Sequence, residues 1–187
     1  FKMLTHQKIV RDYLNVYSPY RGLLLFHGLG SGKTCSSIAI AEGLKTHKRV
    51  IVMTPASLQT NYREELKKCG DEMYKRNQFW EFLDLHGDAA GPAAFEKRLL
   101  ELLGFSKDSQ FIKAQGGAWF VNINKPSNYQ ELSQDQRSQL DAQITQMIDN
   151  KYQFINYNGV RLSGLQELTS GFTKIPFDDC VVIIDEA

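Results

Sequence analysis

The chain has 187 residues, which suits one domain of ordinary size and is too short for two full ones. Hydrophobic residues make up 42% and charged residues 23% of the sequence, a globular mixture that excludes wholesale disorder and a fibrous repeat. The longest apolar runs, such as residues 23–26 and 181–184, are four residues long, whereas a membrane-spanning helix needs about 20, so we expect no membrane partner.

The first part of the chain predicts alternating helices and strands. Apolar side chains recur at helical spacing within residues 5–17, and residues 23–26 are typical of a short buried strand. A glycine-rich stretch follows, then a predicted helix over about residues 32–45 and a second buried strand over residues 50–53. Two strands separated by a helix of this length indicate a βαβ unit and therefore a parallel sheet.

The next predicted helix begins after Pro55 and ends at Gly70, because glycine is a common C-terminal stop. From about residue 71 to 150 the sequence becomes polar and rich in glutamine. We interpret this segment as a mainly helical insertion packed on the edge of the sheet. Its longest predicted helix starts with a capping box formed by Ser133 and Gln136.

Four further elements complete the predicted fold. A short amphipathic helix is predicted around residues 95–103 and a strand at 118–121, both within the insertion. After the insertion, residues 154–155 and 180–184 are strand candidates. The chain begins without Met, and residues 185–187 follow directly on an apolar run, so we expect it to be part of a longer protein.

The cysteines and the charges constrain the environment. Cys35, Cys69 and Cys180 are an odd number at wide spacing without a CxxC pair, which predicts buried free thiols in a reducing compartment. Residues 1–70 carry 11 Lys and Arg against 4 Asp and Glu, a net of +7, and residues 71–187 carry 11 against 17, a net of −6. A basic segment of this kind can face phosphates or form an ordinary solvated surface.

Residues 27–34 read His-Gly-Leu-Gly-Ser-Gly-Lys-Thr, after the first predicted strand and at the start of a helix. Polyphosphate needs converging backbone N–H donors; glycines let the backbone turn that tightly, and a helix N-terminus adds a favourable dipole. In this pattern Lys33 reaches the β- and γ-phosphates, and the Thr34 hydroxyl ligates Mg²⁺. The expected ATP-binding residues of the loop are Gly28, Leu29, Gly30, Ser31, Gly32, Lys33 and Thr34.

A pair of acidic residues, Asp185 and Glu186, directly follows the apolar run 181–184. A buried parallel strand delivers such carboxylates at its C-terminal end, where ligands of open α/β sheets bind. Asp185 can then hold Mg²⁺, and Glu186 can act as the base that polarises an attacking water. Taken alone, the pair fits equally well a strand that ends in a polar turn, but its combination with the glycine-rich loop favours a nucleotide site.

Together, the loop and the acidic pair resemble motifs I and II of superfamily 2 helicases and translocases, with residues 185–187 as the start of an Asp-Glu-Ala-His or Asp-Glu-Ala-Asp box. Residues 4–7, Leu-Thr-His-Gln, resemble the leucine-x-x-glutamine element that reads adenine in this superfamily, which assigns that role to Gln7. Residues 50–58 look like motif Ia of the Swi/Snf-like branch. The loop combined with residues 154–159 is most similar to helicases of nucleocytoplasmic large DNA viruses.

The resemblance implies a RecA-like P-loop NTPase domain over residues 1–187, the first motor lobe of an ATP-dependent helicase or double-stranded DNA translocase. It implies ATP and Mg²⁺ as cofactors, Lys33 and Glu186 as catalytic residues, and Thr34 and Asp185 at the metal. A second RecA-like lobe of the parent chain would supply an arginine finger. A viral origin would place the protein in the host cytoplasm, the host nucleus or the virion. The residues implied to contact the nucleic-acid backbone, expected to be double-stranded DNA, are Thr54, Pro55, Ala56, Ser57, Asn156 and Asn158.

Two other classes are also compatible with the residues. A small-molecule kinase would need a substrate lid and its own phosphate-clamping arginines, but neither Gln7 nor the segment after Thr54. A nucleotide-responsive interaction module would use the insertion at 71–150 to dock a partner. His27 departs from the wider P-loop pattern, which has Gly or Ala at this position.

Overall fold

The computed structural model describes residues 4–26, 28, 30–85, 91–106 and 108–186. The α-helices in these ranges are α1 (Thr5–Tyr13), α2 (Lys33–Leu44), α3 (Gln59–Cys69), α4 (Pro92–Arg98), α5 (Gln110–Gln115), α6 (Gln134–Lys151) and α7 (Leu162–Leu168). The strands are β1 (Arg49–Thr54), β2 (Trp80–Asp84), β3 (Gly117–Val121), β4 (Tyr152–Asn156) and β5 (Cys180–Ile184). No helix within the described ranges is both long enough and apolar enough to span a bilayer.

The chain divides into two compact units. Unit 1 contains the described residues of the segments 1–71 and 151–187, and unit 2 is Glu72–Asn150. Unit 2 therefore interrupts unit 1 in the sequence, over nearly the same range as the polar, glutamine-rich segment.

A three-stranded parallel sheet in the order β4-β1-β5 lies in unit 1. β1 is its central strand, and Val52 lies opposite Phe154 of β4 and Ile183 of β5. Val50, Ile51 and Val52 are buried, as expected for a central parallel strand with both faces covered. The predicted mixed α/β class with a parallel sheet flanked by helices is therefore confirmed.

Residues 23–26, predicted as the first buried strand, do not form a strand in the structure. Leu24 is 86% exposed and Phe26 is 93% exposed. The predicted βαβ unit placed this run in the same parallel sheet as β1, but the described sheet consists of β4, β1 and β5. The prediction of a strand at 23–26 is therefore wrong, because an extended apolar run without a neighbouring strand has no hydrogen-bond ladder to join.

The strand that precedes the acidic pair, β5, is parallel as predicted but lies at an edge of the sheet. Ile183 is buried, whereas Val182 is exposed and Ile184 is 59% exposed. The prediction of a fully buried strand is wrong because, among the described strands, only β1 pairs with β5.

Two helices that flank the sheet, α2 and α3, are joined covalently. Cys35 of α2 and Cys69 of α3 form a disulfide, with their Cα atoms 5.5 Å apart. The prediction of free thiols is therefore wrong for this pair, although Cys180 is a free thiol. The two cysteines are 34 positions apart in sequence, so their spacing carries no pairing signal, and only the packing of α2 on α3 brings them together. The Glu65 carboxylate lies beside both sulfurs, at 3.7 and 3.8 Å.

Unit 2 contains the antiparallel pair of β2 and β3 as well as helices. The buried side chain of Gln143 in α6 accepts a hydrogen bond from the Trp119 amide and donates one to the Trp119 carbonyl, both at 2.8 Å, so it satisfies both backbone groups of this residue of β3. The predicted capping box is present, since the Gln136 amide donates to Ser133 Oγ at 3.2 Å and the Ser133 amide donates to Gln136 Oε1 at 2.9 Å. Neither β2 nor α5 was evident from the sequence pattern.

Candidate nucleotide site

The glycine-rich loop leads directly into α2. Gly30 and Gly32 have φ angles of 75° and 79°, in the left-handed region that favours glycine. Lys33 and Thr34 form the start of α2, where backbone N–H groups have no partner within the helix and attract anions. Two residues of the predicted loop lie outside the described residues: His27 and Leu29.

Helix α1 contacts this loop through consecutive side chains. Gln7 is buried, accepts a hydrogen bond from the Leu4 amide at 2.9 Å and donates one to the Gly32 carbonyl at 3.4 Å. The His6 ring nitrogen Nε2 lies 3.0 Å from the Ser31 carbonyl oxygen. A Cβ on Gly32 would lie 2.6 Å from Gln7 Nε2, so a larger residue would have to displace the end of this side chain, and the positive φ of this position independently favours glycine. Gln7 therefore helps to shape the loop, and adenine recognition by Gln7 stays a prediction.

One hydroxyl of the loop is left without a partner. The Ser31 Oγ atom is buried, and no described residue forms a hydrogen bond with it. A buried polar atom without a partner costs free energy, and such atoms are rare in folded proteins. The loop therefore offers a donor to an external acceptor, and a phosphate oxygen has this chemistry.

Asp185 lies at the carboxyl end of β5, where its amide donates to the Met53 carbonyl of β1 at 3.0 Å. Burial raises the pKa of the half-buried Asp185 carboxyl above its usual range, and the neighbouring Glu186 charge raises it further. The Lys33 ammonium acts on the same carboxyl in the opposite direction and lowers its pKa. Lys33 and Asp185, far apart in sequence, are therefore close enough for the lysine charge to act on the carboxyl.

Glu186 has a φ of 58°, a left-handed conformation that is uncommon for a residue with a side chain and costs free energy. The Tyr157 hydroxyl, from the turn after β4, lies 2.6 Å from the Glu186 carbonyl oxygen and 3.3 Å from the Asp185 carbonyl oxygen. Sequence reasoning missed this contact of Tyr157 with the acidic pair. Its only signal was its position between Asn156 and Asn158, and a tyrosine there gives no hint of what it contacts.

The two segments predicted to contact nucleic acid both follow strands that pair in the sheet. After β1, Ala56 and Ser57 are exposed, but Thr54 is buried and its hydroxyl donates to the Pro55 carbonyl at 2.9 Å. A backbone contact from this segment would therefore come from the exposed residues and not from the Thr54 hydroxyl.

In the second segment, which follows β4, the Asn156 side chain accepts a hydrogen bond from the Asn158 amide at 3.1 Å. Asn156 is half-buried and Asn158 is exposed. The asparagine pair therefore forms a local turn that presents Asn158 to solvent.

Comparison with curated proteins finds relatives among viral proteins. The chain is 44% identical over 69 residues, 36% of its length, to an Acanthamoeba polyphaga mimivirus protein named as an ATP-dependent RNA helicase. It is 41% identical over 70 residues, 35% of its length, to a Frog virus 3 protein named as a helicase. A second mimivirus protein named as an ATP-dependent RNA helicase is 25% identical over 162 residues, 74% of the chain. The chain is related to the superfamily 2 helicases of large DNA viruses.

These relatives are much longer than the matched segments. The matches cover 12%, 7% and 20% of the three viral proteins, so the chain spans less than a quarter of the length of each. No protein-family model and no solved structure matched the chain.

The residues of this site fit a magnesium-bound nucleotide. The start of α2 supplies N–H groups and a positive dipole, Ser31 supplies an unpaired hydroxyl donor, and Lys33 supplies a positive charge. The raised pKa of Asp185 indicates that its carboxylate is costly to bury, and a divalent cation next to it would offset that cost.

Proposed function

We propose that this chain is the ATP-binding part of the first RecA-like motor lobe of an ATP-dependent helicase or double-stranded DNA translocase. The observation that carries the proposal is the geometry of the loop at the start of α2, where Gly30 and Gly32 adopt left-handed conformations and the buried Ser31 hydroxyl is left without a described partner. Similarity to viral proteins named as helicases supports the same class.

Each residue of the site has a distinct task in this proposal. The amides of Gly28–Thr34 and the Lys33 ammonium would hold the phosphates, and Gln7 would contact adenine. Thr34 and Asp185 would hold Mg²⁺, which neutralises charge on the phosphate oxygens when it is bound. Glu186 would accept a proton from the attacking water at its carboxylate.

The nucleic-acid backbone would contact the two segments after β1 and β4. Ser57 with Pro55 and Ala56 would form one contact and Asn156 with Asn158 the other, with Thr54 supporting the first from inside. The surplus of positive charge within residues 1–70 would favour phosphates over a neutral ligand. Because the mimivirus relatives are named as RNA helicases, the test must include duplex DNA and RNA.

The test compares two lysine substitutions in the full-length protein. Lys33→Ala removes the charge at the phosphates, and charge-assisted contacts contribute about 1.5–3 kcal/mol, so ATP affinity should fall about tenfold or more. Lys68→Ala is the matched control, because Lys68 is exposed and forms a surface ion pair with Glu65 of the same helix. ATP titrations and phosphate release, each with DNA or RNA present, are the measurements. Unchanged ATP binding by the Lys33→Ala protein would overturn the assignment of the loop.

A further inference from the structure

One hydrogen bond connects the turn after β4 to the acidic pair after β5. The Tyr157 hydroxyl lies closest to the Glu186 carbonyl oxygen, at 2.6 Å, and at 3.3 Å from the Asp185 carbonyl oxygen. β4 and β5 are not neighbours, since β1 lies between them. The Tyr157 side chain therefore reaches across the end of the central strand to contact the acidic pair.

The hydroxyl of Tyr157 has a single proton, so it donates mainly to the nearer acceptor, the Glu186 carbonyl. This carbonyl belongs to a residue with φ of 58°, a conformation that persists only where the surroundings hold it. Asp185 is held on its other side by the hydrogen bond to the Met53 carbonyl. Holding the Glu186 carbonyl fixes the orientation of its peptide plane and thereby the direction in which the side chain leaves the backbone.

The other end of this connection is the turn that presents Asn158 to solvent. Asn156 accepts from the Asn158 amide, so Tyr157 is enclosed in a turn with its own side chain–backbone hydrogen bond. A ligand that binds Asn158 or displaces the Asn156 cap would move the Tyr157 backbone. Because the Tyr157 hydroxyl donates to the Glu186 carbonyl, such a movement would also shift Glu186.

We infer that Tyr157 is a positioning residue that couples occupation of the Asn156–Asn158 turn by a nucleic-acid backbone to the placement of Glu186 for ATP hydrolysis. This inference rests on the proposed function. It explains why a tyrosine, with a hydroxyl beyond an aromatic ring, follows a strand that is not adjacent to the acidic pair. A phenylalanine would fill the same space but would leave the Glu186 carbonyl without this donor.

The test uses the full-length protein and a pair of matched tyrosine substitutions. Tyr157→Phe removes only the hydroxyl at the acidic pair. Tyr152→Phe removes a hydroxyl from the first residue of β4 that donates to Glu42 Oε1 at 2.6 Å, away from the acidic pair. The measurements are kcat and KM for ATP, with and without saturating nucleic acid, together with the thermal midpoint of each variant.

For Tyr157→Phe, the ratio of kcat with nucleic acid to kcat without it should fall about 2- to 12-fold, the range expected from one neutral hydrogen bond. KM for ATP should stay unchanged, because the described contacts of the phosphate loop do not involve Tyr157. Tyr152→Phe should keep the wild-type ratio even where its thermal midpoint falls. If Tyr157 had only a structural role, Tyr157→Phe would lower the thermal midpoint and leave the ratio of the two kcat values unchanged.

A double-mutant cycle with Asn156→Ala tests whether the turn and the hydroxyl act as one unit. If they do, the double variant should show the same stimulation ratio as either single variant. An unchanged ratio in Tyr157→Phe, or effects of the two substitutions that multiply independently, would overturn the coupling while the proposed function stands. A wild-type protein without ATPase activity would overturn the proposed function, and the coupling with it.

Discussion

At the scale of single residues, the carboxylates after β5 differ in environment although they are neighbours. Asp185 is half-buried and subject to burial, to the charge of Glu186 and to the charge of Lys33, whereas Glu186 is exposed. A carboxyl whose pKa is raised in the folded chain favours the fold at low pH, and this contribution is lost as the pH rises through that pKa. At neutral pH the ionised Asp185 carboxylate therefore carries a free-energy cost, which a neighbouring cation would reduce.

Glu186 is exposed and therefore accessible to a water molecule, so we predict that it acts as the base. Glu186→Gln keeps the size of the side chain but removes the base, so turnover by the full-length protein should fall about 10²-fold or more while ATP binding is retained. Glu167→Gln is the control, since Glu167 is an exposed carboxylate on α7, remote in sequence from the acidic pair. Rates of phosphate release and ATP titrations of both variants check this prediction. Normal turnover by the Glu186→Gln protein would show that Glu186 is not the catalytic base.

The site residues predicted from the sequence are those whose signal lies in local order, and their roles stay predictions, whereas contacts that depend on packing were not predicted. Lys33 and Thr34 follow from a glycine pattern at a helix start, and Asp185 and Glu186 follow from an apolar run before two acids. The contact of Tyr157 could not be predicted, because its partner is a backbone carbonyl and every residue has one. Nothing in the sequence around Tyr157 specifies that this carbonyl belongs to Glu186.

At the scale of elements, prediction succeeded where local signals set the boundaries. The Ser133–Gln136 capping box and the glycine stop at residue 70 both lie where the structure has them. The strand predicted at 23–26 failed because its formation depends on a neighbouring strand, and apolar character alone does not supply one. β2 was missed for a related reason, since its residues gain their strand conformation by pairing with β3.

The disulfide between α2 and α3 is predicted to stabilise the folded chain. Closing a loop with a sequence separation of 34 lowers the entropy of the unfolded chain, which corresponds to about 4 kcal/mol of stability in the chain-entropy model. A reductant should therefore lower the denaturant midpoint of the wild-type chain. The measurement is urea unfolding followed by circular dichroism, with and without the reductant.

Two variants make this test specific for the disulfide. The Cys35→Ser/Cys69→Ser double variant should unfold at the same urea concentration under both conditions. Cys180→Ser should keep the sensitivity of the wild type, because Cys180 is a free thiol. A wild-type midpoint that does not respond to reductant would show that the pair contributes no crosslink in solution.

At the scale of the whole molecule, the two units differ in how much of their organisation the sequence revealed. Unit 1 contains the glycine-rich loop and the acidic pair that the sequence singled out, and its parallel sheet follows from short apolar strands separated by helices. Unit 2 has no motif, and its sheet is antiparallel and joined across a long intervening segment, so periodicity alone did not define it. The relatives are several times longer than the segments they share with this chain.

The last prediction concerns residues 1–187 on their own. Phosphoryl transfer depends on positioning and on charge stabilisation, and an arginine finger contributes about 10³–10⁵ in rate. In the proposed function that arginine comes from a second lobe, which would also complete the track of phosphate contacts that gives nucleic-acid affinity. The isolated chain should therefore bind ATP weakly, release phosphate at a negligible rate and show no stimulation by nucleic acid.

The measurement is steady-state phosphate release by the purified chain over a titration of duplex DNA and of RNA. The full-length protein is the positive control, and the Lys33→Ala chain sets the background from contaminating ATPases. Both stimulation and turnover should appear only in the full-length protein, because only there can a second lobe close the site against water and bring the arginine to the phosphates. Robust turnover by residues 1–187, abolished by Lys33→Ala, would mean that the loop, Asp185 and Glu186 already form a complete active site, and the two-lobe mechanism would be wrong.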